Sequence, residues 1–287
     1  MNALQTSDLP EDYWDETIRA GSWRWYELKH LLQYKDLLVA LIKRDFIVTY
    51  RQTILGPMWH LLQPLATCIL FFIVFKEMPW WKGVSKTQQL VFYMANSFLW
   101  QFFYTSFNGT AQVFFQHASL FRKVYFPKIL LPMAIIGSNC IKLSIHVGVF
   151  LMGLLLWQWL GAEYQLGWQV LLAIPWLLLL GAIALGIGLL LAAASLRYRD
   201  VSFAIGFAVQ LLLFITPVCY PANYFDKHAL IHLNPLTPIF SGFAAAFTTV
   251  DSSITTNSMY AALFALAALI LGTVAFLATE QKVADIA

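Results

Sequence analysis

Lys142 and His146 stand four residues apart in an apolar run, with Ser138 and Asn139 one turn earlier. Residues at that spacing share one face of a helix. An amine and an imidazole on one face, with no carboxylate nearby in sequence, can hold an anion or line a watery cavity. A lysine inside an apolar helix can instead snorkel its ammonium to the nearer interface. The choice depends on where the helix begins. From Ile129, Lys142 lies about 20 Å along the axis at ~1.5 Å per residue. From Ile135 the interface is within reach, and both readings stay open.

Two further stripes pair aromatic rings with an amide. Trp59 and Gln63 fall on one face of an apolar segment, and Phe203, Phe207, Gln210 and Phe214 fall on one face of another. Rings stack on the apolar faces of sugars while amides hydrogen-bond their hydroxyls. Packing or lipid contact would explain the rings alone, but an amide facing lipid is costly.

Other chemistries lack their residues. No GxxxxGK[ST] phosphate loop, no HExxH and no metal-spaced His/Cys cluster occurs, so no catalytic, cofactor or metal site is expected in this chain. The long apolar segments contain no Asp or Glu, which argues against a proton relay. Cys68, Cys140 and Cys219 read as small buried hydrophobes. An integral membrane glycosyl- or phosphotransferase would need a carboxylate cluster in a loop. The loop acids Glu77, Glu163, Asp200, Asp226 and Asp251 stand singly.

The elements that must position these residues follow from composition. Of 287 residues, 60% are hydrophobic and 11% charged, against about 25% charged in soluble domains. Six segments approach the ~20 residues a bilayer requires: 58–75, 88–112, 129–159, 168–194, 201–220 and 258–278. They are too long for barrel strands and do not alternate. The expected fold is therefore an all-α membrane protein with six transmembrane helices. No apolar run precedes residue 58, so no cleavable signal peptide is expected. Six spans place both termini on one side, which then carries thirteen Lys and Arg against four on the other. The positive-inside rule makes that side cytoplasmic.

Residues 1–57 read as a cytoplasmic N-terminal segment, 58–278 as the transmembrane domain and 279–287 as a cytoplasmic tail. Trp23 and Trp25 suit an interface, after an acidic cluster of Glu11, Asp12, Asp15 and Glu16. From Tyr34 onward, Leu37, Leu38, Leu41 and Ile42 share its face while Asp36 and Lys43 lie opposite, as in an amphipathic interfacial helix. Gly56-Pro57 then permits a bend into the first span. Residues 221–257 hold apolar runs too short to span, either re-entrant helices or helices on the outer surface. Ala182/Gly186, Ala184/Gly188 and Gly188/Ala192 allow close helix approach, within one subunit rather than at a dimer seam.

Residues 113–128, "VFFQHASLFRKVYFPK", suit a force-bearing contact with a partner. Ser119 is a candidate N-cap and Pro127 ends the segment. Arg122 and Lys123 offer charge, while Leu120, Phe121 and Val124 offer apolar surface that an exposed loop does not otherwise need.

Three stretches, "KRDFIVTYRQTILGPMWHLLQP" (43–64), "SLFRKVYFPKILLP" (119–132) and "LRYRDVSFAIGFAVQLLLFITPVCYP" (196–221), are followed by "NPLTP". In this order they resemble the membrane subunit of type-2 ABC exporters, nearest the polysaccharide and polyol-phosphate branch that exports O-antigen, capsule or teichoic acid. The likeness runs from about Trp23 to the last span. It implies a bacterial inner-membrane permease that works as a homodimer, with two separate ATPase subunits holding ATP and Mg. It also implies a lipid-linked polysaccharide substrate, membrane lipid around it and no nucleic acid. The coupling helix would lie between spans two and three, with Lys43, Arg44 and Arg51 as a second contact. A type-2 exporter of a drug or lipid remains the alternative within transport.

Overall fold

The computed structural model describes residues 31–51, 53–56, 58–117, 120, 126–159, 167–225, 229–248 and 258–286. Among these the regular structure is helical: α1 (Lys35–Tyr50), α2 (Met58–Phe75), α3 (Lys86–Ala111), α4 (Val113–Gln116), α5 (Leu130–Trp159), α6 (Ala173–Arg197), α7 (Arg199–Ile215), α8 (Ala229–Leu233), α9 (Thr237–Ala245) and α10 (Ser258–Ile286).

Among the described residues, four stretches are long and apolar enough to cross a bilayer: α2, α5, Val170–Arg197 and Ser258–Thr279 of α10. Helix α3 has the length, at 26 residues, but carries Asn96, Ser97, Gln101 and Asn108. Helix α7 stops after 17 residues because Pro217 holds Thr216 extended, at φ −87° and ψ 139°.

Helix α3 is the hub. It packs on α2, α5, α6, α7 and α9, so its polar side chains are turned into protein. Hydrocarbon cannot satisfy an amide or hydroxyl, and burial among other helices can. Ser85 opens α3 by accepting a hydrogen bond from the Gln88 N–H at 3.3 Å.

The small residues of α6 serve contacts inside this one chain. A Cβ on Gly186 would meet the Ala268 backbone of α10 at 2.5 Å, and one on Gly188 would meet Thr110 of α3 at 2.7 Å. Ala184 and Ala192 are fully buried.

The predicted apolar face of α1 lies against protein. Leu41 is buried, and Leu37, Leu38 and Ile42 pack into a cluster with Val113, Phe114, Phe126, Ile129, Leu130 and Phe276. The tip of Ile42 rests where a Gly137 side chain would be, 2.6 Å from the position of its Cβ. Asp36 and Lys43 are exposed on the other face. The periodicity blurs after Asp45 because Ile47 and Val48 are turned outward. Gly56 has φ +52°, a left-handed conformation that glycine adopts without strain, and so makes the bend into α2. Pro57 lies outside the described residues.

Between α7 and α10 the described residues include a buried helix. Helix α9 is buried from Thr237 to Ser241 and packs on α6 and α3. Gly242 lies so close under the Trp176 indole that any side chain there would overlap it.

Candidate functional site

A polar belt joins α2, α3 and α5. Lys142 lies twelve residues into α5, about 18 Å from its start at ~1.5 Å per residue. Its Nζ donates to Asn139 Oδ1 at 3.2 Å, and Asn139 Nδ2 donates to Ser106 Oγ on α3 at 3.2 Å. One turn on, His146 Nε2 lies 2.8 Å from the His60 carbonyl of α2. A carbonyl only accepts, so Nε2 carries the proton. The imidazole stacks on Phe98, with centroids 5.0 Å apart and planes 8° apart. Gln101 Nε2 donates to Gln63 Oε1 at 3.3 Å and extends the belt toward the surface of α2.

These groups enclose a small cavity lined by His60, Gln101, Thr105, Asn139, Lys142 and His146, with room for about one water molecule. The half-buried Lys142 amine therefore points at protein and cavity. The sequence singled out Lys142 and His146 but missed His60, Gln101, Thr105 and Ser106. Their only sequence signal was polarity at helical spacing within apolar segments.

The two aromatic-amide stripes face outward from the chain. Trp59 and Gln63 are exposed on α2, in line with Leu62, Ile69, Leu70 and Ile73. Phe203, Phe207, Gln210 and Phe214 are exposed on α7, with the rings 76%, 65% and 64% open for Phe203, Phe207 and Phe214. Both helices lean on α3, which leaves their far faces uncovered. The α2 stripe is joined to the cavity residues by the Gln63–Gln101 bond. Cys68 and Cys219 are buried, whereas Cys140 is exposed on α5, which corrects the expectation of three buried thiols.

The end of α7 is tied down by residues far away in sequence. Asn96 Nδ2 donates to the Pro217 carbonyl, Asn234 Nδ2 donates to Thr216 Oγ1 at 3.0 Å, and the Leu236 N–H donates to Asn234 Oδ1 at 3.0 Å. The "TPV" and "NPLTP" stretches thus meet in space.

At the opposite end, α4 and Leu120 join the cluster that holds α1. Phe126 and Pro127 are buried, so the far end of the 113–128 stretch is anchored. Phe121, Arg122, Lys123 and Val124 lie outside the described residues, as does Ser119. Arg44 pairs with Asp45 at 2.6 Å, while Lys43 and Arg51 are exposed. Burial holds His117 below the ordinary imidazole range, with Asp45 pulling its pKa up and Arg44 pushing it down. The shared apolar cluster of Leu37, Leu38 and Leu41 with Val113 and Phe114 places α1 beside α4.

The ABC-2 type transporter family model matches residues 36–248, from the first turn of α1 to just past α9. The chain belongs to the ABC-2 type transporter family. Among curated relatives, this ABC-2 chain is 26% identical over 230 residues to the O-antigen export system permease protein RfbA of Myxococcus xanthus, covering 77% of this chain and 83% of the relative. It is 24% identical over 226 residues to the O-antigen export system permease protein RfbA of Klebsiella pneumoniae, covering 77% and 84%. As an ABC-2 permease it is a multi-pass membrane transport subunit rather than an enzyme.

Proposed function

We propose that this chain is the channel-forming permease subunit of an ATP-driven exporter of lipid-linked polysaccharide of the O-antigen class. The observation that carries the glycan reading is the pair of uncovered stripes, Trp59 and Gln63 on α2 and Phe203, Phe207, Gln210 and Phe214 on α7. A long, uncharged, hydroxyl-rich chain is recognised by ring faces and amides, and a path for it must be left open by one subunit and closed by another. In this reading two copies join with these stripes toward the shared path. The relatives named as O-antigen permeases support the same substrate class.

The six spans are α2, α3, α5, α6, α7 and α10, with residues 1–57 and 279–287 in the cytoplasm of a bacterial inner membrane. The thirteen-to-four distribution of Lys and Arg supports this orientation. Two ATPase subunits, each carrying ATP and Mg, dock beneath at residues 113–128, where Leu120, Phe121, Arg122, Lys123 and Val124 meet an ATPase groove. Lys43, Arg44 and Arg51 on and after α1 follow that movement through the shared apolar cluster. Lys142 gives the polar belt beside His146 its cationic group, suited to a phosphate of the lipid carrier.

The test is deletion of this gene in its own bacterium, with complementation. Surface polysaccharide is measured together with co-purification of an ATPase. Loss of surface polysaccharide with intracellular accumulation of the lipid-linked chain is expected. Normal surface polysaccharide in the deletion strain overturns the reading.

A further inference from the structure

Pro64 lies inside α2, in the run from Met58 to Phe75, and is buried. Proline has no N–H, so the helical hydrogen bond that residue 64 would give to the carbonyl of residue 60 cannot form. In a membrane-spanning helix a carbonyl without a donor is costly, because hydrocarbon offers none. The chain supplies a donor from elsewhere: His146 Nε2 of α5 is 2.8 Å from the His60 oxygen.

The ring is built to stay there. His146 is 3% exposed. Phe98 of α3 stacks on it at 5.0 Å and nearly parallel, which fixes the plane in which the N–H points. On the same face of α5, the Lys142–Asn139–Ser106 chain ties that helix to α3. The ring's Nδ1 has no hydrogen-bond partner among the described residues, so Nε2 is the nitrogen that is used. Both the neutral Nε2–H tautomer and the imidazolium donate to a carbonyl, so the contact does not depend on titration.

We propose that His146 is the positioning residue of the first span. It replaces, from α5, the hydrogen bond that Pro64 removes from α2. The proline frees the helix to deviate at that turn, and the histidine selects where the freed turn is held. Trp59 and Gln63 lie within the same turn, so their placement follows from this contact. Held this way, α2 can move relative to α5 by breaking one interhelical bond rather than its own helical ladder. The activity side of this idea rests on the export reading, but the contact itself does not.

A double-mutant cycle tests it in the full-length protein. His146→Phe, Pro64→Ala and the double variant are purified with the ATPase, and melting temperature and export per folded molecule are recorded. Pro64→Ala returns an N–H to the helix, so the His60 carbonyl no longer needs the histidine. His146→Phe alone should lower the melting temperature and reduce export several-fold. In the Pro64→Ala background the same substitution should cost much less in both. His146→Gln, which keeps an N–H donor, should fall between Phe and the native residue. If His146→Phe does not accumulate, accumulation of the double variant supports the proposal, and its failure beside a stable Pro64→Ala overturns it. An equal penalty in both backgrounds also overturns it. Coupled melting with normal export per folded molecule would make His146 a stabilising contact only and overturn the positioning role. If the native protein exports no glycan, the melting cycle still decides the contact.

Discussion

The side-chain amide of Asn96 donates to the carbonyl of Pro217 at 3.3 Å, across 121 residues of sequence. Asn96 is fully buried in the middle of α3, and Pro217 follows the residue that ends α7. A proline that terminates a helix leaves nearby carbonyls without helical donors, and here the neighbouring hub helix supplies one. From another side Asn234 donates to the Thr216 hydroxyl oxygen, a side-chain contact on the residue that caps α7. The end of the stripe-bearing α7 is therefore set by two asparagines that belong to other elements.

Asn234→Ala is expected to destabilise the subunit by about 1–3 kcal/mol, because it leaves buried groups unsatisfied. It removes both the bond to Thr216 and the acceptor for the Leu236 N–H. Thermal unfolding in detergent measures the loss. A melting temperature equal to that of the native protein would show that this junction does not hold α7.

Gly272→Leu should be among the most damaging single changes. The position where its Cβ would stand overlaps the Gly186 carbonyl of α6, and backbone cannot give way as a flexible side chain can. Overpacking of this kind costs about 1–3 kcal/mol or more. Gly148→Leu, on α5 where nothing lies within 4 Å, is the matched control. Comparable yields of folded protein for the two variants would disprove the close α6–α10 approach.

Phe207→Ala together with Phe214→Ala should lower polysaccharide export while leaving insertion, melting temperature and ATPase co-purification unchanged. Both rings are exposed, so their removal opens no cavity in the chain. Lys142→Met, assayed alongside, should reduce export because it removes the cationic group from the polar belt. Unaltered export in the ring variant would return these residues to lipid contact.

Replacing Phe121 and Arg122 together by Ala should leave the subunit inserted and folded but release its ATPase. Leu120, next to them in sequence, packs with the apolar cluster that anchors α1 and α4 and is kept in this variant. Co-purification with the ATPase and export are read in the same strain. Retention of both would eliminate this segment as the coupling element.

A pH effect is expected at the same end of the molecule. His117 has its pKa lowered by burial, so the folded state holds fewer protons than the unfolded one as pH falls through the ordinary imidazole range. Stability from this group is present above pH ~6.5 and declines below it. His117→Gln should flatten melting temperature against pH between about 7 and 5. An unchanged slope would assign the acid sensitivity to another group.

The sequence by itself determined the helical class, the long apolar runs now seen in α2, α5, α6 and α10, and which side of α1 is apolar. Those follow from local periodicity and composition, which each segment carries without reference to the others. The structure turned that side of α1 onto protein rather than leaving it for the membrane surface. The sequence also marked Lys142, His146 and the ring-and-amide stripes, because a polar group at helical spacing in an apolar run stands out wherever the helix ends up. Tertiary structure alone decided which polar groups meet. Nothing in the spacing of Pro64 and His146, 82 positions apart, tells that one supplies the bond the other removes. The same holds for Asn96 with Pro217 and for Gly186 with Gly272. The physical reason is that a buried polar atom requires a partner but not any particular one. The partner is whichever group the packing of α2, α5, α6 and α10 around α3 brings within reach.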